Sequence, residues 1–192
     1  ASRGIGLAIA QELARRDYDL AIVAREPNRL REALTTLEGE GKHEAFPADI
    51  SRWETVSEMV ANINSSFGSI FGLVNNAGVS GTALVGDIDP DEYTRIMRIN
   101  VEAVFMLSNA AVKVMQAGSR IINISSVLGE RAAVSGMSGS GIGKMSPNLL
   151  LKRSARSLVI SRCCFWSSPI GTRLARNSRM SAAMSTGYEK TP

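Results

Sequence analysis

Two glycines near the start of the chain, Gly4 and Gly6, stand at the head of an apolar repeat of Ile5, Ala8, Ile9 and Leu13. That spacing predicts a helix to about Arg16, opened by the turn Ala1-Ser2-Arg3-Gly4-Ile5-Gly6. Glycines at a strand-to-helix turn let the backbone approach a pyrophosphate, which then rests on the free N–H groups of the helix N-terminus. Ordinary turns use glycine too, so Gly-x-Gly alone decides nothing and the neighbouring motifs must. Those are Asn75-Asn76-Ala77-Gly78, Asn100, and Ile122-Asn123-Ile124-Ser125-Ser126, all polar groups set beside apolar runs. Metal chemistry has no ligand set: His43 is the sole histidine, and the adjacent Cys163 and Cys164 match neither a metal spacing nor a framework of bridges. His43 is expected in a strand edge or loop, without a role.

The elements that must position these groups alternate. Leu20 to Ala24 is a short apolar run of buried-strand type, followed by Pro27 and a helical stretch from Arg29 to Leu37. His43 to Phe46 is a weaker strand, and Trp53, Val56, Met59, Val60 and Ile63 mark the helix after Asp49-Ile50-Ser51. Phe71 to Val74 is the next strand, ending in the asparagine motif; a long helical stretch over about Pro90 to Met115 leads to the strand Arg120 to Ile124. Such repetition predicts an α/β fold: a doubly wound parallel sheet of Rossmann type with helices on both faces, three layers in all. Ligands of such sheets bind where the strands end, which is where the glycine, asparagine and serine motifs fall.

With 192 residues, 44% of them apolar, the chain can bury one core of ordinary size. No run of about 18 apolar residues and no signal-peptide pattern is present, so the expectation is a soluble, cytoplasmic protein. Charge is uneven. Residues 1–144 hold 14 Lys+Arg against 17 Asp+Glu, whereas residues 145–192 hold 8 against 1. That tail is neither a dense basic block nor interleaved with aromatics, which argues against a nucleic-acid or membrane arm.

Taken in order, the Ser-Arg-Gly-Ile-Gly turn, Asn75-Asn76-Ala77-Gly78, Asn100 and Ile122-Asn123-Ile124-Ser125-Ser126 resemble the short-chain dehydrogenase/reductase family. The resemblance runs from Ala1 to about Lys144. The family's phosphate loop reads Thr-Gly-x-x-x-Gly-x-Gly, so Ala1-Ser2-Arg3 match its variable positions. The leading Thr-Gly, the first strand and an initiator Met are absent, which implies a fragment. The resemblance makes Arg3, Gly4, Ile5, Gly6, Arg25, Asp49, Ile50, Asn76, Ala77 and Gly78 the cofactor-binding residues. Arg25 stands at the end of the Leu20 to Ala24 strand, where an acid would favour NAD, and Arg3 is a second cation; both imply NADP over NAD. Asp49 with Ile50 is similar to the family's pair beside the adenine, although an Asp before Ser51 also suits a turn or helix cap.

In the family a hydride passes between nicotinamide and a carbonyl carbon while a tyrosine exchanges a proton with the oxygen. The resemblance implies Ser126 as the serine that holds the substrate oxygen, Asn100 as the asparagine that keeps a relay water, and Lys144 as the lysine that lowers the tyrosine pKa. The tyrosine belongs four residues before the lysine, and position 140 is Ser140. A serine hydroxyl is shorter and far less acidic than a phenol of pKa about 10, so strongly reduced turnover is expected. After Lys144 the family pattern is no longer recognisable: Pro147 follows within one turn, and residues 145–192 read as a divergent basic tail, frame-shifted or an unrelated interaction segment. Three expectations stand together: an NADP-dependent reductase of ketones such as 3-oxoacyl thioesters, or a dehydrogenase of alcohols; a non-catalytic NADP-binding or subunit-interaction protein; and a fragment without a stable fold. Family members commonly form dimers or tetramers through their long fourth and fifth helices, which implies a homodimer or homotetramer here, with no nucleic-acid or membrane partner.

Overall fold

The computed structural model describes residues 1–81 and 87–125, together with the backbone of a strand at 157–160. The chain alternates helix and strand: α1 Gly4–Ala14, β1 Leu20–Ala24, α2 Pro27–Leu34, β2 His43–Pro47, α3 Trp53–Phe67, β3 Gly72–Asn75, α4 Pro90–Met97, a π turn at Arg98–Glu102, α5 Ala103–Val112, β4 Arg120–Ile124 and β5 Ser157–Ile160. Strand pairing is parallel throughout, with Leu20 opposite His43, Gly72 opposite Arg120 and Ile121 opposite Ser157. The doubly wound α/β expectation holds.

β1 explains the layering. Its odd and even residues face opposite ways: Ile22 joins Ala10 of α1 and Leu30 and Ala33 of α2, with Leu20 and Ala24 beside them. Ala21 and Val23 pack instead on a second cluster built from Val56, Met59, Val60 and Ile63 of α3 and Ala103, Met106 and Leu107 of α5. A period of two on the strand and of 3.6 on the helices thus makes three layers. The small residues Gly6, Ala10 and Ala14 form the buried stripe of α1, four apart, and let that helix lie close to the sheet. α3 stops at Gly68, whose φ of +77° places it in the left-handed region and whose N–H donates to the Asn64 carbonyl at 2.8 Å.

The sheet is in two pieces, β2-β1 and β3-β4-β5. Leu73 of β3 packs on the same α3 and α5 cluster as Val23 of β1, so one helical layer spans both pieces although β1 and β3 do not pair. The start of α1 bridges the break. The Ala1 ammonium donates to the Val23 carbonyl on one side, and Gly6 packs on Asn76 at the end of β3 on the other.

Besides shifts of a few residues at the ends of α1, α2 and β2, the structure departs from the sequence expectation in three places. The long helix at Pro90 is interrupted by the π turn and ends at Val112. The strand expected from Phe71 starts at Gly72, and Phe71 is 64% exposed. Within the stretch read as a divergent tail, Ser157–Ile160 adds β5 alongside β4; its Ser-Leu-Val-Ile run was too short to stand out. Among the described residues no helix is long and apolar enough to cross a membrane, and no group of three or more His, Cys, Asp or Glu could hold a metal ion.

Candidate functional site

α1 begins on Gly4 at φ +56°, with space around it, so glycine is needed there for backbone conformation. Gly6 is needed for clearance: a Cβ would lie 2.7 Å from Asn76 Nδ2. Arg3, the residue before the helix, makes no side-chain cap, and the first intrahelical bond runs from Leu7 N–H to the Arg3 carbonyl. The N–H groups of Gly4, Ile5 and Gly6 therefore lack helical partners and carry the positive end of the helix dipole. A phosphate group fits this cradle, and a Cβ at position 6 would press on one of its walls.

Asn76 is half-buried, whereas Ala77 and Gly78 are exposed, so the end of β3 forms an open ledge beside that helix start. Asn75, directly before it, turns inward. Its Nδ2 donates to Asn123 Oδ1 at 2.8 Å and to Ser108 Oγ at 3.4 Å, and the Ser108 hydroxyl donates to the Val104 carbonyl. This buried cross-link ties the ends of β3 and β4 to α5. Asn75 Oδ1 and Asn123 Nδ2 are buried without partners. The sequence reading gave these two asparagines no role; their signal was an amide near the end of each of two apolar runs, and they face each other at the last rung of the β3–β4 ladder.

Asn100 is 2% exposed and sits in the π turn. Its Oδ1 accepts from Val79 N–H at 2.9 Å and its Nδ2 donates to the Val79 carbonyl at 2.8 Å. The side chain thus clamps the chain just beyond Gly78. One extra residue per turn in the π segment aims it there.

Asp49 forms a local turn rather than a free carboxylate. Its Oδ1 accepts from Ser51 N–H at 3.0 Å and from the Ser51 hydroxyl at 2.7 Å. The Ser51 backbone N–H in particular, with the nearby Arg25 and Arg52 charges, holds its carboxyl below the usual carboxylate range. Ile50 packs partly against the α3 and α5 cluster. Arg25, one residue beyond β1, and Arg3, one residue before α1, are both exposed. Arg25 also lines a cleft of about 400 Å³ with Ser51 and, from α4 and the π turn, Asp91, Thr94, Arg95 and Arg98. Neither Arg95 nor Arg98 was singled out from sequence. Ser126, Ser140 and Lys144 lie outside the described residues, as does Pro147.

A parallel α/β sheet with a glycine-lined helix start and an asparagine ledge at its carboxyl edge defines a nucleotide-binding protein of the doubly wound class. The family model for short chain dehydrogenases matches residues 1–141. The chain belongs to the short-chain dehydrogenase/reductase family of oxidoreductases. It is 29% identical over 166 residues to carbonyl reductase family member 4 of Xenopus laevis, covering 83% of this chain and 69% of that protein. A short chain dehydrogenase from Burkholderia cenocepacia J2315 in complex with NADP aligns at a TM-score of 0.72 and 32% identity, over 76% of this chain and 60% of that one. An NAD+-bound xylitol dehydrogenase aligns at 0.74 and 30%, over 78% and 59%. The chain therefore spans about two thirds of that curated relative and about three fifths of those solved chains.

Proposed function

We propose that the chain is the NADP(H)-binding part of an oxidoreductase that interconverts a carbonyl and a secondary alcohol, a 3-oxoacyl thioester being one substrate of that class. The observation that carries this reading is the start of α1, where Gly4 to Gly6 present unpaired N–H groups against the ledge formed by Asn76. The pyrophosphate rests on those N–H groups, with Arg3 and Arg25 on the side of the 2′-phosphate. Asp49 and Ile50 border the adenine, the Asp through the rigid turn it makes with Ser51. Asn76, Ala77 and Gly78 form the facing wall. The nicotinamide, when bound, supplies or accepts the hydride.

On the reacting side, the Ser126 hydroxyl donates to the substrate oxygen and Lys144 supplies positive charge beside it. Asn100 keeps the Val79 segment in register and serves the proton relay from the π turn. Ser140, where the family has tyrosine, is too short and too weak an acid to deliver the proton, so turnover is slow. That substitution favours a second reading, an NADP-binding or subunit-interaction protein without catalysis. The cofactor-binding domain spans residues 1–144 with β5, Ser157–Ile160, added to its sheet from the otherwise divergent stretch 145–192. The protein works in the cytoplasm on a small molecule, without nucleic-acid or membrane partners. A homodimer or homotetramer through the long interrupted helix of residues 90–112, the fourth helix of the sequence reading, is supported by the exposed apolar side chains of Phe105 at 48% and Val112 at 45%, with Trp53 of α3 edge-on to Phe105.

The test is fluorescence titration of the full chain with NADPH and NADH alongside a thermal melt and a carbonyl-reduction assay. Saturable binding with NADPH preferred, and slow turnover, is the expected result. Binding without turnover selects the second reading, and a cooperative melt without nucleotide binding overturns both.

A further inference from the structure

We infer that Ser108 of α5 is a positioning residue for the ledge at the end of β3: its hydroxyl holds Asn75 in one amide orientation and so keeps Asn76 against the start of α1. This inference rests on the nucleotide reading above. Among the buried residues of α5, Ser108 alone is polar, and it is 4% exposed. Its hydrogen donates to the Val104 carbonyl at 2.6 Å, one turn back, so toward the sheet its oxygen can only accept. The group it meets there is Asn75 Nδ2, at 3.4 Å, which also donates to Asn123 Oδ1 at 2.8 Å.

Left to themselves, the two asparagines have two equivalent ways to pair. They stand opposite each other in the β3–β4 ladder. One hydrogen bond joins them if Asn75 Nδ2 donates to Asn123 Oδ1, and one joins them if both amides are turned over and Asn123 Nδ2 donates to Asn75 Oδ1. The first arrangement is present, and it leaves Asn75 Oδ1 and Asn123 Nδ2 buried without partners. Stranding two polar atoms costs stability that apolar side chains would keep, which argues that the tie serves position. An acceptor-only oxygen beside Asn75 Nδ2 removes the degeneracy, because the turned-over pair would set a carbonyl against it. Strand alternation carries this choice to the site. Leu73 and Asn75 face the α5 side, so Asn76 faces the other, where its Nδ2 stands beside Gly6. One peptide unit therefore separates the buried amide from the wall of the phosphate cradle.

Threonine and valine at position 108 have the same bulk and differ in the hydroxyl. Fluorescence titration of the full chain with NADPH, beside a thermal melt, compares Ser108→Thr, Ser108→Val and Ser108→Ala with the wild type. Ser108→Val is expected to bind NADPH about three- to tenfold more weakly than Ser108→Thr, while the two melt at nearly the same temperature because a hydrogen bond of 3.4 Å adds little to stability. Ser108→Ala should show the same loss without added bulk, and it decides against the wild type if the extra methyl prevents both larger variants from folding. Side-chain amide NMR supplies a signature that packing alone does not produce. The wild type and Ser108→Thr should give one set of Asn75 and Asn123 Nδ2 resonances, and Ser108→Val and Ser108→Ala two sets or exchange broadening. Equal NADPH affinity with and without the hydroxyl overturns the inference while the nucleotide reading stands. So does a loss of affinity that only follows the melt, or a single set of amide resonances in every variant. Absence of NADPH binding by the wild type overturns the nucleotide reading, and the inference with it.

Discussion

Replacing Asn100 by alanine removes both hydrogen bonds that hold Val79, at 2.9 and 2.8 Å, and leaves that residue's N–H and C=O to find other partners. Each buried polar group stranded in this way costs about 1–3 kcal/mol. Val79 is only half-buried, so the lower part of that range applies to each, while the lost amide of a residue 2% exposed adds a cavity. The expected total is about 2–4 kcal/mol, or a melting point lower by roughly 5–10 °C for a chain of this size. Asn100→Asp separates geometry from bulk. Its carboxylate accepts from Val79 N–H but faces the Val79 carbonyl without a proton, and burial raises its pKa. The protonated form can donate, so the deficit of Asn100→Asp relative to wild type should shrink as pH falls. Urea unfolding gives the energies, and hydrogen exchange at the Val79 amide gives the local effect. An exchange rate at Val79 unchanged in Asn100→Ala, with a loss below about 0.5 kcal/mol, would refute the clamp.

Gly6→Ala places a Cβ 2.7 Å from Asn76 Nδ2, and because that amide can swing aside the stability cost should stay near about 1 kcal/mol while NADPH affinity falls severalfold; unaltered affinity in fluorescence titration counts against the cradle. Ser140→Tyr restores a phenol where the family has one, and the rate of NADPH oxidation with a carbonyl panel should rise; no gain means that the limiting defect lies elsewhere. The Asp49 carboxyl is held low in the folded chain, mainly by the Ser51 N–H, so its contribution is complete above the unfolded pKa of about 3.9 and is lost as pH falls through the folded value. Asp49→Asn should accordingly flatten part of the acid-side loss of stability seen by urea unfolding between about pH 5 and 2, and an identical slope would contradict this.

The order of elements could be read in the sequence because β1 and α3 carry clean apolar periods, Ile22 against Ala21 and Val23 on the strand, and Val56, Met59, Val60 and Ile63 on the helix. Gly4 and Gly6 were equally legible, since positive φ and close approach both select glycine. The π turn was not, because Arg-Ile-Asn-Val-Glu has no composition that separates it from α-helix; the pull of Asn100 onto Val79 becomes visible only in three dimensions. Asp49 before Ser51 suits a turn or helix cap as well as a place beside the adenine, and the turn is present. Asn75, Ser108 and Asn123 meet only once β3 and β4 pair in register, and a sequence carries no register by itself. Arg95 and Arg98 looked like any solvated helix face until the cleft brought Arg25 opposite them.

The coupling of β1 to β3 runs through helices rather than through a backbone ladder. Backbone ladders run within β2-β1 and within β3-β4-β5 but not across, and the two are coupled through the side chains of α3 and α5 and the start of α1. Side-chain packing yields to small displacements far more readily than a continuous ladder does. Among the described residues the two half-sheets share no strand pairing, and contacts made by α1, α3 and α5 carry the coupling between them. A ligand lying across the start of α1 and the Asn76 ledge would act as a staple between them.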